Sequence, residues 1–291
     1  MRTPPPPVFL LGSMFSVQFG SAFADKLFAQ AGPAGTVLMR LGLSALILIV
    51  AVRPRLRGRT RADLYAVAAY GLVLGTMNWT FYEALHRLPL GVAVTIEFTG
   101  PLVVAAVGSR RLLDGLWVLL AAAGVLLLAF GGSHHGVTTA GVLLALGAGA
   151  CWAGYILTSK RVGTTFSTMD GLSIALCFGT LVALPAGIVE GGSALGRPSV
   201  LLGGLAVAVL SSIVPYSLEL TALRRISGAT FGLLMSLSPA VAALAGVVTL
   251  GQHLSTVLLV ALALVVVASI GTTLSSRSGV AAAVGADLPV P

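Results

Sequence analysis

Apolar residues along this chain neither alternate nor gather on one helical face. They run in blocks, separated by connections that carry Gly, Pro and basic residues. Ten blocks can be drawn, at about 8–30, 34–52, 64–86, 88–108, 112–130, 138–160, 168–189, 199–223, 226–250 and 254–275. A helix needs ~20 apolar residues to cross the hydrocarbon core, and each block is near that length. Each is also apolar on all sides, unlike the single stripe of a surface helix. The pattern predicts ten transmembrane helices. Met1–Pro7 reads as an extended, proline-rich lead and Ser276–Pro291 as a tail without defined structure.

Composition supports the same reading. Of 291 residues, 57% are hydrophobic and 9% charged, with a mean hydropathy of +1.01. Soluble domains carry roughly a quarter charged residues, so this chain has too few to cover a water-facing surface. A net charge of +8 invites a nucleic-acid partner. The basic residues, however, sit between apolar blocks, with no basic face of interleaved aromatics. They orient the chain instead. Arg2, Arg53, Arg55, Arg57, Arg59, Arg61, Arg110, Arg111, Lys160, Arg161, Arg224, Arg225 and Arg277 fall on one side if the blocks alternate, and only Arg87 and Arg197 on the other. The positive-inside rule puts both termini in the cytoplasm. Arg2, the run Val8–Phe19 and Ala22-Phe23-Ala24 also resemble a cleavable signal peptide. The segment is read as the first span, because losing it would leave nine spans and break the repeat described next.

Glu83–Gly108 aligns without gaps to Thr221–Gly246, an offset of 138 positions. The identities are Ala84/Ala222, Leu85/Leu223, Arg87/Arg225, Pro101/Pro239, Val103/Val241, Ala105/Ala243 and Gly108/Gly246. The halves are then residues 1–134 and 135–278, followed by a tail at 279–291. Five spans is an odd number, so the second half would enter the membrane from the opposite side. The predicted fold is an all-α polytopic membrane protein with ten transmembrane helices as two inverted five-helix repeats. In carriers built this way the site lies near the bilayer midplane, between the repeats.

Several strings resemble a known family. Leu90-Gly91-Val92-Ala93-Val94-Thr95-Ile96-Glu97-Phe98-Thr99-Gly100-Pro101 is similar to the fourth-span motif of threonine/homoserine exporters, in the EamA branch of the drug/metabolite transporter superfamily. Ala148–Leu157, Pro215-Tyr216-Ser217-Leu218-Glu219 and Thr230–Ser236 resemble the same family. The resemblance spans essentially the whole chain. It implies efflux of small neutral amino acids driven by the proton gradient. One string departs: where the family often reads L-G-E, this chain has Leu250-Gly251-Gln252, and Leu258 replaces a later Gln. That puts in doubt a coupling role for this position. His253 is a titratable neighbour.

An acidic residue at mid-bilayer costs roughly 2.5–3.5 kcal/mol on insertion scales, so it is seldom kept without a partner or a function. Glu97 is the first candidate on that ground. Pro101 lacks an N–H and frees the Glu97 carbonyl, and Pro239 does the same to Met235. Two repeat-related helix breaks suit a midplane site. Glu219 and Tyr216 share a helical face, as do Asn78, Tyr82 and Glu83. An amino-acid zwitterion needs an acceptor for its ammonium, such as Glu97 or Glu219. It needs donors for its carboxylate, such as Asn78, Tyr216 or freed backbone N–H groups. Gln18, Trp152, Tyr155 and Tyr82 complete the predicted substrate-binding set. Glu83 reads more simply as a partner of Arg87. Asp25 and Arg40 are expected to form a gating ion pair, since buried charge wants a partner. Gly71 and Gly75 make a G-x-x-x-G helix-contact pattern.

No catalytic residue, metal or cofactor is expected. Cys151 and Cys177 lie inside apolar blocks without partners at motif spacing, and His134 and His135 lack a third ligand. The expected partners are a small amino acid, the proton gradient and the lipid bilayer, with no nucleic acid; a homodimer stays open. Other readings also stay open: a carrier of nucleobases, drugs or other metabolites, a non-transporting membrane scaffold, and an intramembrane enzyme. The spans hold no H-E-x-x-H, no G-x-S-x-G and no paired aspartates to support the last.

Overall fold

A computed structural model describes residues 5–107, 112–130, 137–223, 225 and 228–286. Arg2, Gly108, Arg110, Arg111, His134, His135, Arg224 and the last residues of the tail lie outside them. Among the described residues the chain is helical, with no strand. Helix α1 runs Pro6–Val52 and covers the first two apolar blocks. It is broken at Gly32, whose φ of 69° lies in the left-handed region open to glycine. Pro33 follows and cannot donate. The break is re-satisfied from outside and from within α1: Ala34 N–H donates to Glu190 Oε2, later in the chain, at 2.7 Å, and Thr36 Oγ1 of the same helix donates to the Gly32 carbonyl at 2.7 Å.

Helix α2 spans Arg61–Leu85 and starts on a Thr60–Asp63 capping box. The fourth block is two short helices, α3 (Leu90–Glu97) and α4 (Thr99–Val107), meeting at Phe98. Helices α5 (Leu112–Phe130), α6 (Thr139–Gly163) and α7 (Thr168–Gly191) follow. The eighth block is α8 (Pro198–Ala208) and α9 (Val214–Leu223), joined by a π turn at Val209–Ile213. The ninth is again split, into α10 (Gly228–Met235) and α11 (Ser238–Leu250). Helix α12 runs Thr256–Ala286, which corrects the expectation of an unstructured tail from Ser276. Its Ala281-Ala282-Ala283 stretch has high helix propensity.

Among the described residues, six helical stretches are long and apolar enough to cross a membrane, and Leu90–Val104 and Gly115–Leu128 are shorter apolar helices. The difference from ten apolar blocks has physical causes. Two blocks merge into α1. The fourth block is interrupted at Phe98. Helix α2 carries Asn78, Thr80, Tyr82 and Glu83, which dilute its hydropathy.

Packing interleaves the halves of the chain. The most extensive contacts join α1 to α7, α2 to α6 and α7, and α5 to α12. Glycines set the closest crossings. A Cβ on Gly75 would lie 2.6 Å from Gly179 Cα, and one on Gly71 2.3 Å from the Ala175 carbonyl, so the G-x-x-x-G face does meet a neighbouring helix. At the α3–α4 break, a Cβ on Gly100 would meet the Gly149 carbonyl of α6 at 1.9 Å. The freed Glu97 carbonyl lies against Gly149 in the same crossing.

Gln252 explains the departure noted in the sequence. Gly251, at φ 64°, ends α11, and Gln252 N–H returns to the Gly246 carbonyl. Its Oε1 then accepts from Leu90 N–H at 3.0 Å, capping α3, whose own N-cap residue is Pro89 and has no side-chain acceptor. A carboxylate oxygen could make the same bond, so the position serves as a cap across the halves. Leu258 is buried, and His253 is exposed.

Two measurements check this packing. Gly75→Val should lower the thermal midpoint in detergent, by an overpacking cost of ~1–3 kcal/mol. Gly147→Ala, where nothing lies within 4 Å, should not. Gln252→Ala should cost about 1 kcal/mol through the lost cap, while Gln252→Glu stays near wild type. Equal destabilisation by both Gln252 variants would refute the capping role.

Candidate functional site

A cavity of about 160 Å³ lies among α1, α2, α3, α6, α9, α10, α11 and the π turn. Its walls carry Met14, Val17, Met77, Phe81, Val94, Trp152, Pro215 and Met235 as the apolar part. The polar part is Ser13, Gln18, Ser21, Arg40, Asn78, Glu97, Tyr155, Ser211, Tyr216, Glu219 and Ser238. Six pairs of these residues are 138 positions apart: Met14/Trp152, Val17/Tyr155, Met77/Pro215, Asn78/Tyr216, Phe81/Glu219 and Glu97/Met235. The offset is the one found from the repeat alignment. The helix breaks obey it too, since α3 and α10 end at Glu97 and Met235.

Seven of the eight residues predicted to bind substrate line the cavity: Glu97, Glu219, Tyr216, Asn78, Gln18, Trp152 and Tyr155. Glu97 is the last residue of α3 and only 8% exposed, and no hydrogen-bond donor reaches its carboxylate among the described residues. Glu219 accepts from Ser13 Oγ at 2.6 Å, which ties α9 to α1. Asn78 donates to its own helix at Leu74 O, 2.8 Å away. Tyr155 packs at a tilt against Tyr70, with centroids 5.0 Å apart, and Trp152 meets Phe98 edge-on at 5.4 Å. Pro101 and Pro239 stand just past the two breaks without lining the cavity, while Ser238 beside Pro239 does line it.

Two expectations are corrected. Tyr82 is fully buried behind the wall, packed on Phe28, and its hydroxyl accepts from Arg40 at 3.2 Å. It supports the site without facing it, because Arg40 occupies the space in front of it. Asp25 and Arg40 do not form an ion pair. Asp25 sits half-buried on the first arm of α1, within electrostatic reach of His86. Arg40, on the second arm, turns into the cavity. Its guanidinium donates to Ser211 O at 2.8 Å, to Ser212 Oγ at 3.3 Å and to Tyr82 Oη. Glu83 does pair with Arg87, at 2.5 Å on the partly exposed end of α2.

The π turn makes the Arg40 contact available. Pro215 has no N–H, so the Ser211 carbonyl lacks its helical donor. Arg40 takes that carbonyl, Ser16 Oγ takes the one at Leu210 at 2.6 Å, and Ser44 Oγ the one at Ala208 at 3.4 Å. Sequence reasoning singled out Pro101 and Pro239 but missed Pro215. It also missed Ser13 and Ser21. Their spacing with Gln18, in an otherwise apolar run, puts all three near one helical face, and that was a usable signal.

Known proteins resemble this chain in sequence and in fold. Residues 139–274 match the EamA-like transporter family. The threonine/homoserine exporters RhtA of Salmonella typhimurium and of Escherichia coli K12 are each 44% identical to this chain over 274 residues, covering 94% of it and 92% of theirs. The uncharacterised transporter YwfM of Bacillus subtilis is 27% identical over 229 residues, covering 76% and 77%. A solved crystal structure at 21% identity superposes with a TM-score of 0.62 over 93% of this chain and 99% of that one, which shows a shared fold. On the identity and coverage it has with the exporters, the chain belongs to the EamA-like transporter family, alongside the RhtA threonine/homoserine exporters.

Proposed function

We propose that this chain is a secondary transporter that exports small neutral amino acids such as threonine or homoserine. It works by alternating access, with ten spans arranged as inverted repeats at residues 1–134 and 135–278, both termini cytoplasmic, and a short tail. The cavity carries the reading: it is small, polar on several sides, and lined by pairs of residues at the repeat offset. Repeat-related positions on both sides of one solute are what two interchangeable access states require. The volume of about 160 Å³ is below the ~300–1,000 Å³ of drug-sized sites, which favours an amino acid over a bulky drug. The 44% identity to exporters named for threonine and homoserine supports the substrate class.

In this scheme Glu97 and Glu219 are the acceptors for the ammonium of the cargo, and Asn78 and Tyr216 are donors that orient it. Trp152, Tyr155, Gln18, Met14 and Phe81 shape the space around its side chain. Glu97 has no fixed donor, so it is the better proton carrier: it can pass between charged and neutral forms without breaking a structural bond. Glu219, held by Ser13, is the more static acceptor. The breaks before Pro101 and Pro239 supply backbone groups and points of bending beside the cavity.

The decisive measurement is counterflow of labelled threonine and homoserine in proteoliposomes, with and without a pH gradient. Glu97→Gln should reduce gradient-driven export by more than tenfold while the protein remains folded in the membrane. Unaltered gradient-driven export in that variant would remove Glu97 from proton coupling, and an inert wild type would remove the export reading.

A further inference from the structure

Arg40 is a buried cation whose contacts do not neutralise it. It is 7% exposed and lines the cavity. A guanidinium carries five N–H donors in a planar fork. Three directed bonds are made, all to neutral oxygens: the Ser211 carbonyl, the Ser212 hydroxyl and the Tyr82 hydroxyl. No carboxylate of a described residue lies within ion-pairing distance of it, although Glu97 and Glu219 line the same cavity. A buried charge without a carboxylate paired to it is costly unless a ligand supplies one, and Glu97 acts on Arg40 only from beyond ion-pairing distance.

Two neighbours are equally unfinished. Ser211 Oγ, on a residue 2% exposed, and Gln18 Oε1, on a residue 5% exposed, are buried polar atoms without a hydrogen-bond partner. Both residues line the cavity with Arg40. Buried polar atoms are ordinarily satisfied, so orphans on residues that share a cavity with a cation mark a place for a polar ligand. The π turn holds the Ser211 carbonyl on Arg40 while its hydroxyl stays unused. A planar cation with N–H donors to spare matches a carboxylate, and the residue whose carbonyl it holds carries an unpartnered hydroxyl that can add a further donor.

We propose that Arg40, assisted by the Ser211 hydroxyl, receives the carboxylate of the transported solute, so that a free carboxylate is a required feature of the cargo. This rests on the amino-acid export reading and deepens it. The zwitterion lies with its carboxylate on Arg40, a first-half residue held by the second-half π turn, and with its ammonium on the cavity's acids. Cation and acids then serve the two opposite charges carried by one α carbon and leave the side chain to the apolar wall.

The test compares threonine with threoninamide, which keeps the ammonium and side chain but lacks the carboxylate. Binding of each is measured to the purified full-length chain in nanodiscs, with thermal melting in parallel. Wild type should bind threonine at least ~10-fold more tightly than threoninamide, because a site built around a charge rejects the analogue that lacks it. Arg40→Gln should bring threonine down to the level of threoninamide and leave threoninamide unchanged. Ser211→Ala should produce a smaller loss for threonine alone. If Arg40→Gln weakens both ligands in proportion, or neither, Arg40 only ties α1 to the π turn and the proposal is overturned. Should Arg40→Gln not fold, wild type and Ser211→Ala decide: equal affinity of wild type for the two ligands overturns the proposal. A wild type that binds no small neutral amino acid sinks the export reading itself, a separate result from a wild type that binds threonine and threoninamide alike.

Discussion

The structure is governed by the requirement that backbone polar groups inside a bilayer find partners within the protein. Unbroken helices meet it without help. This chain breaks its helices at Gly32, Phe98, the π turn of Val209–Ile213 and Ser236–Leu237, and the breaks at Gly32 and the π turn acquire partners from elsewhere in the fold, as does the start of α3. Glu190 of α7 caps the restarted arm of α1. Arg40, Ser16 and Ser44 of α1 cover the carbonyls of the π turn. Gln252, past α11, caps α3. Most of these bonds join one half of the chain to the other, so the defects that open a cavity are also the seams that hold the halves together.

The same economy governs charge. Few ionisable side chains enter the interior, and their surroundings differ. Glu219 is fixed by Ser13, Arg40 is held by neutral oxygens, and Glu97 stands without a donor. Glu83 and Arg87 pair at the partly exposed end of α2, where such a bond contributes little to stability. The cavity therefore gathers ionisable groups of both signs, a suitable receptor for a solute with both charges on one small frame. Glycine contacts between α2 and α7, and between α4 and α6, let backbones approach closely around it without bulky side chains intervening.

Much of this was legible along the chain, for identifiable reasons. Apolar blocks report helices because the period of burial is local. Pro101 and Pro239 report breaks because a missing N–H acts on its own helix. Glu97 is visible because a carboxylate in a long apolar run is expensive wherever it faces. The Asp25–Arg40 pairing failed because opposite charge in sequence says nothing about direction in space: the break at Gly32 separates the two residues, and Arg40 turns toward the carbonyl that Pro215 leaves free. Tyr82 was placed on the right face of α2, but Arg40 fills the space in front of it.

The sequence by itself determined an all-helical, membrane-suited chain of the EamA-like family, an internal offset of 138 residues and the principal buried acid, since each of these is written in composition, period or identity at fixed positions. Only the tertiary structure decided that Arg40 faces the cavity, that Gln252 is a cap, and that α12 continues to Ala286. The reason is physical. A side chain's partner in lipid is whichever group another helix brings within hydrogen-bond reach, and that depends on crossings between segments far apart in the chain.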